Sequence, residues 1–510
     1  MTGGTAAVTR RDATGVLLAT GLCLLGASYA DAAGRAAYQL GPFVAVGGAI
    51  IPGDVQEVRT SGYHRPGAGA AVYVQDAAVD ATYLARHPTS AFRSADGRGF
   101  RLRVETPCNP EALGLRLGLN PGFAQGNQDA IAGALLLCRR IVLPAGDIDF
   151  RTDSGFILPA LDGMEIAGQG WATRIVTRDS AFLLPTLRDL TIRDLWIEQV
   201  ATTRSAIQSF HCNLRAIRFL RLKITMADQA RHQNNCIGLV MDESPIGSDG
   251  KIGLYGLSIE DCWLAPGRMG VEIQYHRDLK RSYGYQKVTM QGCTVWKAPV
   301  SAGMGVSLSG WGVDCLITKN RFVGCHGPSV EIIGGDRTSV IGNVFEDAIG
   351  APIAASNFRV ARDCRIINNR TIGSPSVNGL FLEAVDRLEV SSNRFDTKGV
   401  HVLKGSRIHL HDNELVGTGT AQLIHLDHAQ GVVIEKNRLL SVGAAERRPM
   451  VVAFNATRNC VIRFNKLTRW DYDVLQDAQW FAQGSEVRHS SVYGNERCGR
   501  TGCLKDPRSP

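Results

Sequence analysis

Apolar residues recur two positions apart in the C-terminal half of this chain, each time just before an asparagine. In most repeats the apolar pair stands five and three positions ahead of the asparagine, and a third apolar residue follows two positions after it. Residues two apart point to the same side of a β-strand, so each repeat predicts short strands with one buried face. The asparagines are Asn320, Asn343, Asn369, Asn393, Asn413, Asn437 and Asn465.

The spacing of the repeats predicts one long solenoid. Successive asparagines are 23, 26, 24, 20, 24 and 28 residues apart, and the same apolar frame fits earlier segments at Leu190, Ile217, Leu257 and Val288. This makes eleven coils, which stack at the strand spacing of about 4.8 Å. Inward residues then form an apolar core, and the asparagines form a turn column, where they tolerate left-handed backbone and bond the coils above and below. A leucine-rich repeat would show helical segments that are absent here. We expect an all-β, single-stranded parallel β-helix over residues 181–470.

Helical periodicity is confined to a segment before the first coil. Over Asn127–Arg139, Ile131, Leu135 and Cys138 share one face, and the apolar strand Ile141–Leu143 follows. Such a helix would cap the open end of the solenoid and protect its sheet edge. We therefore expect a small N-terminal module at 33–110, the cap helix and first coils at 111–180, and a C-terminal cap or tail at 471–510.

The first 32 residues have the features of an export signal. Arg10 and Arg11 precede an uncharged Ala/Gly/Leu-rich stretch that ends in Ala30-Asp31-Ala32, an A-x-A cleavage pattern. The arginine pair favours a twin-arginine signal, and an ordinary secretory signal is the alternative. Both predict a periplasmic or secreted protein. No later stretch has 18 uninterrupted apolar residues, so no membrane anchor is expected in the mature chain.

Charge and cysteine content narrow the partners and the redox chemistry. The formal net charge of +8 favours an anionic partner. Without a Lys/Arg-rich run or a nucleic-acid motif, we expect an acidic polysaccharide rather than nucleic acid. Among 13 cysteines, Cys498 and Cys503 flank a short turn and are the best disulfide candidates. Cys315, Cys364 and Cys460 fall on inward positions and are expected to be unpaired.

Three motifs resemble the start of the pectate-lyase/rhamnogalacturonase superfamily. They are D-A-I-A-G-A-L at Asp129–Leu135, I-V-L-P-A-G at Ile141–Gly146 and I-A-G-Q-G-W-A-T-R-I at Ile166–Ile175. The resemblance implies a right-handed β-helix and activity on polysaccharides. That superfamily includes hydrolases, lyases, epimerases, phage tailspikes and inactive relatives, both monomeric and trimeric, so reaction and oligomeric state stay open. The acidic segment usual before the cap helix is replaced by Gly118–Asn127, which has no carboxylate.

Catalytic candidates lie on outward positions of the coils. The segment Cys325–Val330 resembles the G-H-G segment of polygalacturonases, but Met304 stands where an aspartate is expected and no Asp-Asp pair lies near. Standard hydrolysis by paired carboxylates is therefore disfavoured. Elimination or epimerisation of a uronate needs a base and a cation instead. His titrates near neutral pH. We predict a lyase- or epimerase-like activity with the catalytic candidates His401, His425, His326 and Glu331.

An insertion between two coils supplies the substrate-binding candidates. The segment Tyr275–Tyr285 is basic and aromatic, which suits an acidic sugar chain. The candidates are Tyr275, Arg277, Lys280, Arg281 and Tyr283. We expect Arg277, Lys280, His401 and His425 to face the same groove as Glu331. No metal-ligand spacing is present, so no cofactor is predicted, although a carboxylate Ca²⁺ site stays open.

Other outward charges favour a plain solvated face. Arg365, Glu389 and His409 share one column, and His411, Glu435 and Arg463 share another, which is typical of weak cross-strand ion pairs. If the histidines belong to such a face as well, the alternative is a non-catalytic β-helix that binds glycan or serves in an envelope or assembly.

Overall fold

The computed structural model describes most of the chain. The described residues are 37–201, 204–229, 234–240, 253–276, 282–298, 303–355, 359–373, 379–396, 398–419, 422–443, 449–469, 480–483 and 487–505. The predicted export signal and the candidates Arg277, Lys280 and Arg281 lie outside these ranges.

The chain forms a right-handed parallel β-helix of about eleven turns, which confirms the predicted fold class. A 26-stranded sheet folds around two adjoining sides of the solenoid, which we call stacks A and B, and a 15-stranded sheet forms the third side, stack C. The strands of stack A are Phe182–Leu184, Ile207–Phe210, Ile237–Val240, Met269–Tyr275, Met304–Val313, Val330–Asp336, Ile353–Ala355, Leu380–Glu383, Val400–Leu403, Ile424–Asp427, Val451–Phe454 and Phe481–Gln483. Met304–Val313 and Val330–Asp336 run on into the side of stack B.

Stacks B and C have the same rhythm. The strands of stack B are Arg140–Val142, Glu165–Ala167, Leu187–Arg193, Asn213–Leu220, Gly253–Glu260, Tyr285–Gln291, Leu316–Thr318, Ser339–Ile341, Ala361–Ile367, Val385–Ser391, Ser406–His411, Val433–Glu435, Val461–Arg463 and Ser491–Tyr493. Those of stack C are Gly146–Phe150, Thr173–Thr177, Trp196–Gln199, Lys223–Met226, Trp263–Ala265, Thr294–Ala298, Arg321–Cys325, Val344–Glu346, Arg370–Ile372, Arg394–Asp396, Glu414–Thr418, Arg438–Val442, Lys466–Arg469, Glu496–Gly499 and Gly502–Lys505.

One coil shows why the sequence folds this way. In the coil 380–396, Leu382, Leu388, Val390 and Phe395 are buried, one or two from each strand. The alternation of apolar and polar residues turns these side chains to the axis and the intervening ones to solvent. Repetition of the pattern produces one continuous apolar core along the whole solenoid.

The asparagine repeat forms a ladder at the corner between stacks B and C. In each rung the Oδ1 atom accepts hydrogen bonds from the backbone N–H and the Nδ2 of the preceding asparagine, as Asn413 does from Asn393 at 3.0 and 2.9 Å. Its own Nδ2 donates to a carbonyl of the coil before, Val390 O at 2.8 Å. All seven predicted asparagines stack in this way, and Asn495 adds an eighth rung beyond them.

The explanation of the asparagines by left-handed backbone is wrong. Positive φ belongs to the residue just before each rung, for example Ser392 at 56° and Asp412 at 53°, whereas the rung asparagines have none. The tight turn is therefore made by the preceding residue, and asparagine occupies its position for the hydrogen bonds of its amide. In the earlier coils Leu195, Leu222, Cys262 and Cys293 occupy the rung position, and Cys293 N donates to Asn320 Oδ1 at 2.9 Å.

A separate sheet and a helix close the N-terminal end. The sheet has the order Tyr38–Leu40, Glu57–Thr60, Val72–Gln75, Gly99–Leu102 and Ala91–Arg93. The cap helix spans Ala124–Cys138, three residues earlier at its start than predicted, and buries Ile131 and Leu135 against the first coil. Shorter helices span Phe43–Ala45, Ala81–Arg86, Pro110–Leu113, Pro121–Phe123 and Gly170–Ala172. No helix in the described part of the chain is long and apolar enough to span a lipid bilayer.

The C-terminal end carries the solenoid past the predicted boundary at residue 470. Ser491–Tyr493 extends stack B, and Glu496–Gly499 extends stack C. Gly502–Lys505 then turns back antiparallel on Glu496–Gly499, and the predicted Cys498–Cys503 disulfide joins the two strands. This hairpin covers the open edge of stack C, where a further strand could otherwise pair.

The cysteine prediction is confirmed and leads to an expected number of free thiols. Cys315, Cys364 and Cys460 are buried and free, and ten cysteines in the described residues are free in all. We expect denaturation without reduction to expose ten titratable thiols in a chain that lacks residues 1–32, because only Cys498 and Cys503 are joined. Titration with a thiol reagent before and after reduction measures this, and a rise of more than two on reduction would contradict it.

Candidate functional site

Stack A carries an outward row in which several of the predicted site residues stand in register. We call it the stack A row. Strand pairing places its members directly above one another on successive coils, in the order Gln208, Gly238, Glu272, Ser307, Glu331, Ala354, Phe381, His401, His425 and Val452. The register places Glu331, His401 and His425 on one face of the solenoid. The expectation that Arg277 and Lys280 share a groove with them falls on residues outside the described ranges and stays a prediction.

The row separates the polar residues into two clusters. Glu331 and His401 are three coil steps apart, which is about 14 Å at strand spacing. Ala354 and Phe381 fill the steps between them. One glycosidic bond therefore cannot contact both clusters, whereas an extended sugar chain along the axis can.

The first cluster, the acidic cluster, consists of Asn235, Arg268, Glu272, Ser307 and Glu331. Asn235 Oδ1 accepts from the backbone N–H of Met269 at 3.2 Å, which directs its Nδ2 to Glu272 Oε2 at 2.6 Å. Ser307 Oγ donates to Glu331 Oε2 at 2.8 Å. Glu272 and Glu331 thus lie on either side of Ser307, each fixed by one neutral donor.

Glu331 is set apart electrostatically from an ordinary surface carboxylate. Burial raises the pKa of its carboxyl, the hydrogen bond from Ser307 lowers it, the charge of Glu272 raises it, and Arg268 lowers it. The net direction is upward, which favours the protonated acid at higher pH than usual. A half-buried carboxylic acid beside a second carboxylate is an arrangement that can donate a proton.

The second cluster, the histidine cluster, consists of Phe381, His401, His425 and Phe454. The His401 and His425 rings have centroids 5.7 Å apart, and Phe454 meets His425 edge-to-face at 5.5 Å. Burial lowers the pKa of His401, the neighbouring His425 lowers it further, and a hydrogen bond to the backbone of Lys398 opposes them. The net direction is downward, which favours the neutral imidazole. Phe381 and Phe454 are each 39% exposed and offer apolar faces on both sides of the pair.

Of the other predicted residues, His326 and Tyr283 lie at the edges of stack A. His326 is exposed in the turn that leads into Val330–Asp336, the strand of Glu331, and its backbone N–H donates to Ala298 O at 3.2 Å. Tyr283 OH donates to Asp336 Oδ2 at 3.0 Å, where the same strand leaves the stack. Both residues thus flank the acidic cluster rather than the histidine cluster.

The prediction for Tyr275 is wrong. Its side chain is fully buried in the core, and its hydroxyl group lies 3.4 Å from Ser209 Oγ. The sequence suggested a surface loop from Tyr275 onward, but strand Met269–Tyr275 extends through this residue, and alternation with Val271 and Ile273 turns it inward. A sugar cannot contact it.

The outward charges of stack B form the ion pairs expected of a solvated face. Glu435 accepts from Arg463 Nε at 2.6 Å and lies 3.0 Å from His409 Nε2, while Arg365 lies 3.7 Å from Glu389. These partners belong to neighbouring coils. These charged side chains are paired with one another, and nothing in their geometry requires a ligand.

Sequence reasoning missed the acidic cluster apart from Glu331. Residues on different coils can be aligned by their distance along the sequence from the asparagine of each coil. The coil of Glu272 has no such asparagine, so this alignment does not relate Glu272 to Glu331. The signal was present in the alternation of Met269–Tyr275, where Val271 and Ile273 point inward and Glu272 must point outward. Extending the frame by alternation alone would have found it.

Part of the chain also matches a known family model. Residues 278–439 match the model described as "Right handed beta helix region". The match agrees with the fold in the structure and includes Glu331, His401 and His425. No curated protein is significantly similar to the chain in sequence.

Solved structures with a similar fold come from proteins of several activities. The A-module of the mannuronan C-5 epimerase AlgE6 of Azotobacter vinelandii is 12% identical, with 76% of this chain and 98% of that one covered and a TM-score of 0.46. A tailspike protein, gp49, of the Acinetobacter baumannii bacteriophage Fri1, a capsular polysaccharide depolymerase, is 13% identical, with 92% and 77% covered and a TM-score of 0.48. PfbA, a surface adhesin of Streptococcus pneumoniae, is 11% identical, with 78% and 93% covered and a TM-score of 0.42. These likenesses concern the fold alone.

A metal centre is not assembled at either cluster of the stack A row. Within the described residues, the one grouping with ligand atoms close enough for an ion is Glu496, Cys498 and Cys503. Both of its sulfur atoms are committed to the disulfide. It therefore lacks the thiolates that a metal would need.

Proposed function

We propose that this protein acts outside the cytoplasm on an acidic polysaccharide that lies along the stack A row, by lyase- or epimerase-like chemistry at the histidine cluster. The observation that supports this most is His401. Burial lowers its pKa and so favours the neutral imidazole, one of its ring nitrogens is engaged by the backbone of Lys398, and a second histidine stands on the next coil. Its other ring nitrogen is then a base of the strength that general-base catalysis uses.

In the proposed reaction His401 removes the C5 proton of a uronate residue. In elimination the electron pair of the C5–H bond forms a C4=C5 double bond, the C4–O4 bond breaks, and O4 takes a proton from solvent water. In epimerisation C5 takes up a proton from solvent water on its opposite face, and no bond of the chain breaks. Phe381 and Phe454 are the proposed partners of the faces of the reacting sugar, and Arg277, Lys280 and Arg281, which follow the strand of Glu272 in the sequence, are the proposed partners of a carboxylate on a more distant unit of the same polysaccharide.

The acidic cluster supports a second candidate, hydrolysis. Glu272 and Glu331 are two coil steps apart, which is about 9.6 Å between their strands. Inverting glycosidases separate their two carboxyl groups by roughly 6.5–9.5 Å, so that water fits between base and bond. Glu331, with its raised pKa, would be the acid and Glu272 the base. This spacing of the strands supports paired-carboxylate hydrolysis as the second candidate, which the sequence alone disfavoured.

A panel of acidic polysaccharides separates the candidates. Purified protein would be incubated with polygalacturonate, alginate and hyaluronan, with dextran as the neutral control. Ultraviolet absorbance of unsaturated uronate identifies elimination, new reducing ends without that absorbance identify hydrolysis, and altered proton NMR signals without chain shortening identify epimerisation. Binding of the acidic polymers without any of these changes would overturn the enzymatic proposal and favour a non-catalytic glycan-binding protein.

Glu331→Gln tests the hydrolytic candidate directly. If Glu331 is the proton donor, the glutamine amide cannot transfer a proton to the leaving oxygen, and turnover should fall about 10²-fold or more. Glu389→Gln, on the solvated face of stack B, is the matched control and should leave turnover unchanged. Full turnover by Glu331→Gln would remove hydrolysis by this pair and leave the histidine cluster as the reacting centre.

A further inference from the structure

Tryptophan side chains gather on the outer side of stack C, away from the stack A row. Four of the seven tryptophans of the chain lie there: Trp171, Trp196, Trp263 and Trp296. Trp196 and Trp263 stand in one outward row, on either side of Lys223. Trp296, one coil further, stacks on Trp263 with ring centroids 5.6 Å apart and 22° between planes. Trp171 is 49% exposed, in the turn before Thr173–Thr177.

Cations are held against these rings. Lys223 Nζ lies 3.9 Å from the centroid of Trp196 and 5.4 Å from that of Trp171. The Arg174 Cζ atom lies 4.6 Å from the ring centroid of Trp196, its neighbour in the row. The Lys297 Nζ atom lies 5.6 Å from the ring centroid of Trp296. Arg174 is also paired with Glu198 and Asp147, whereas Lys223 has no carboxylate partner among the described residues. Its ammonium is therefore fixed by aromatic rings and left with hydrogen-bond donors to spare.

The basic character continues along the same row for the length of the solenoid. We call it the stack C row. Its members in order are Asp147, Arg174, Trp196, Lys223, Trp263, Thr294, Arg321, Val344, Arg370, Arg394, Glu414, Arg438, Lys466 and Glu496. The row holds seven cations and three carboxylates; Arg174, Arg321, Arg438 and Lys466 are in ion pairs, which leaves Lys223, Arg370 and Arg394 without one among the described residues.

Arg370 and Arg394 show that the row is not simply a face of matched ion pairs. They stand directly in register on neighbouring strands, and within the described ranges neither has a carboxylate partner. Like charges in that position destabilise a sheet. On stack B the outward charges of the later coils are paired, although Arg188 and Arg215 also stand in register there.

We propose that the stack C row is a second binding surface for an acidic polysaccharide, separate from the reacting clusters on stack A. Indole rings offer flat apolar faces to sugar rings, and the cations between them meet one carboxylate at a time. From Arg174 to Lys466 the row is about 50 Å long at strand spacing, so it suits a polymer rather than an oligosaccharide. The proposal rests on the proposed function only for its choice of ligand.

The charge density favours a polysaccharide over nucleic acid. Duplex DNA carries one charge per about 1.7 Å of axis, and binding such a backbone needs closely spaced cations. The stack C row offers at most one cation per coil and interrupts them with Trp263, Thr294, Val344 and Glu414. That spacing is closer to a chain with one carboxylate per sugar.

Lys223→Glu and the double variant Trp196→Ala with Trp263→Ala test the surface in the full chain. Binding would be measured by affinity electrophoresis in gels that contain polygalacturonate or alginate, with dextran gels as the neutral control. We expect each variant to bind the acidic polymers about tenfold more weakly, because the ammonium or its aromatic supports are lost. Arg218→Glu, an exposed charge reversal on stack B, is the matched control and should bind as the wild type does.

Turnover of short oligosaccharides separates this inference from the proposed function. The stack C variants should keep that turnover, whereas His401→Ala should lose it and still bind the polymer. If no glycan is turned over but Lys223→Glu loses polymer binding, the proposed function fails and the inference stands. Wild-type polymer binding by Lys223→Glu, or tighter binding of single-stranded or duplex DNA than of either polysaccharide, would overturn the inference. Circular dichroism verifies folding, and Lys223→Gln replaces Lys223→Glu if the reversed charge prevents it.

Discussion

His401→Ala is expected to reduce turnover of the acidic polysaccharide by about 10² to 10⁴-fold, the contribution usual for a positioned general base. The substitution removes the group that takes the C5 proton, and His425, one coil further, is not held by the same backbone bond. Steady-state rates on the polymer identified in the panel measure the effect, which should fall on kcat more than on KM.

The matched control is Arg463→Ala. Arg463 is paired with Glu435 on stack B, outside both clusters, and its loss should change turnover by less than twofold, a rough bound for a surface ion pair. Equal losses in the two variants would contradict a catalytic role for His401.

The pH dependence should have the same origin. A base works when it is unprotonated, so activity should fall as pH falls through the pKa of His401. Because burial and His425 lower that pKa, the acid limb of kcat/KM should lie below the ordinary histidine value of about 6.5. An acid limb above that value would point to a different base.

Asn413→Ala is expected to destabilise the solenoid by about 3–5 kcal/mol. The side chain accepts from Asn393 N and Nδ2 and donates to Val390 O and Asn437 Oδ1, all in the buried corner. Its removal leaves several of these groups unpaired, and each buried unsatisfied group costs about 1–3 kcal/mol, partly offset where the coils relax. Chemical denaturation followed by circular dichroism measures the change.

Two further variants define the cause. Glu414→Ala removes the next, outward residue and its 3.6 Å ion pair with Arg438, and should cost about 1 kcal/mol at most. Asn413→Leu tests whether packing alone suffices, since Leu195 and Leu222 occupy the rung position in earlier coils. We expect Asn413→Leu to be nearly as unstable as Asn413→Ala. A stable Asn413→Leu would mean that the amide bonds contribute little.

The fold could be predicted from the sequence because its determinants are local and repeated. The apolar pair and the asparagine recur in every late coil, so one misread coil would not alter the architecture. The repeat also predicted the inward cysteines. The disulfide was predicted from two cysteines that flank a short turn. It failed where the frame changes: strand Met269–Tyr275 runs further than the loop composition of Tyr275–Tyr285 suggested, and the ladder has a rung at Asn495 beyond the predicted boundary.

The site could be predicted only in part, because its residues come together through register rather than motif. His401 and His425 were found since both precede a rung asparagine by the same number of residues. Glu272 was missed because its coil has no asparagine. The stack C row was missed although most of its later members directly follow a ladder asparagine, as Arg370 and Arg394 do. Only the pairing of whole strands places Glu272 two coil steps before Glu331.

The ladder also means that sites along the solenoid axis are spaced by whole coil steps. Each rung bonds only to the rungs beside it, so a coil added or removed as a unit would leave every other coil in register. Distances along the outer rows can then change only in whole steps of about 4.8 Å. The interval between Glu331 and His401 is set by the two coils of Ala354 and Phe381, whose number, rather than any side chain, decides which lengths of sugar chain reach both clusters at once.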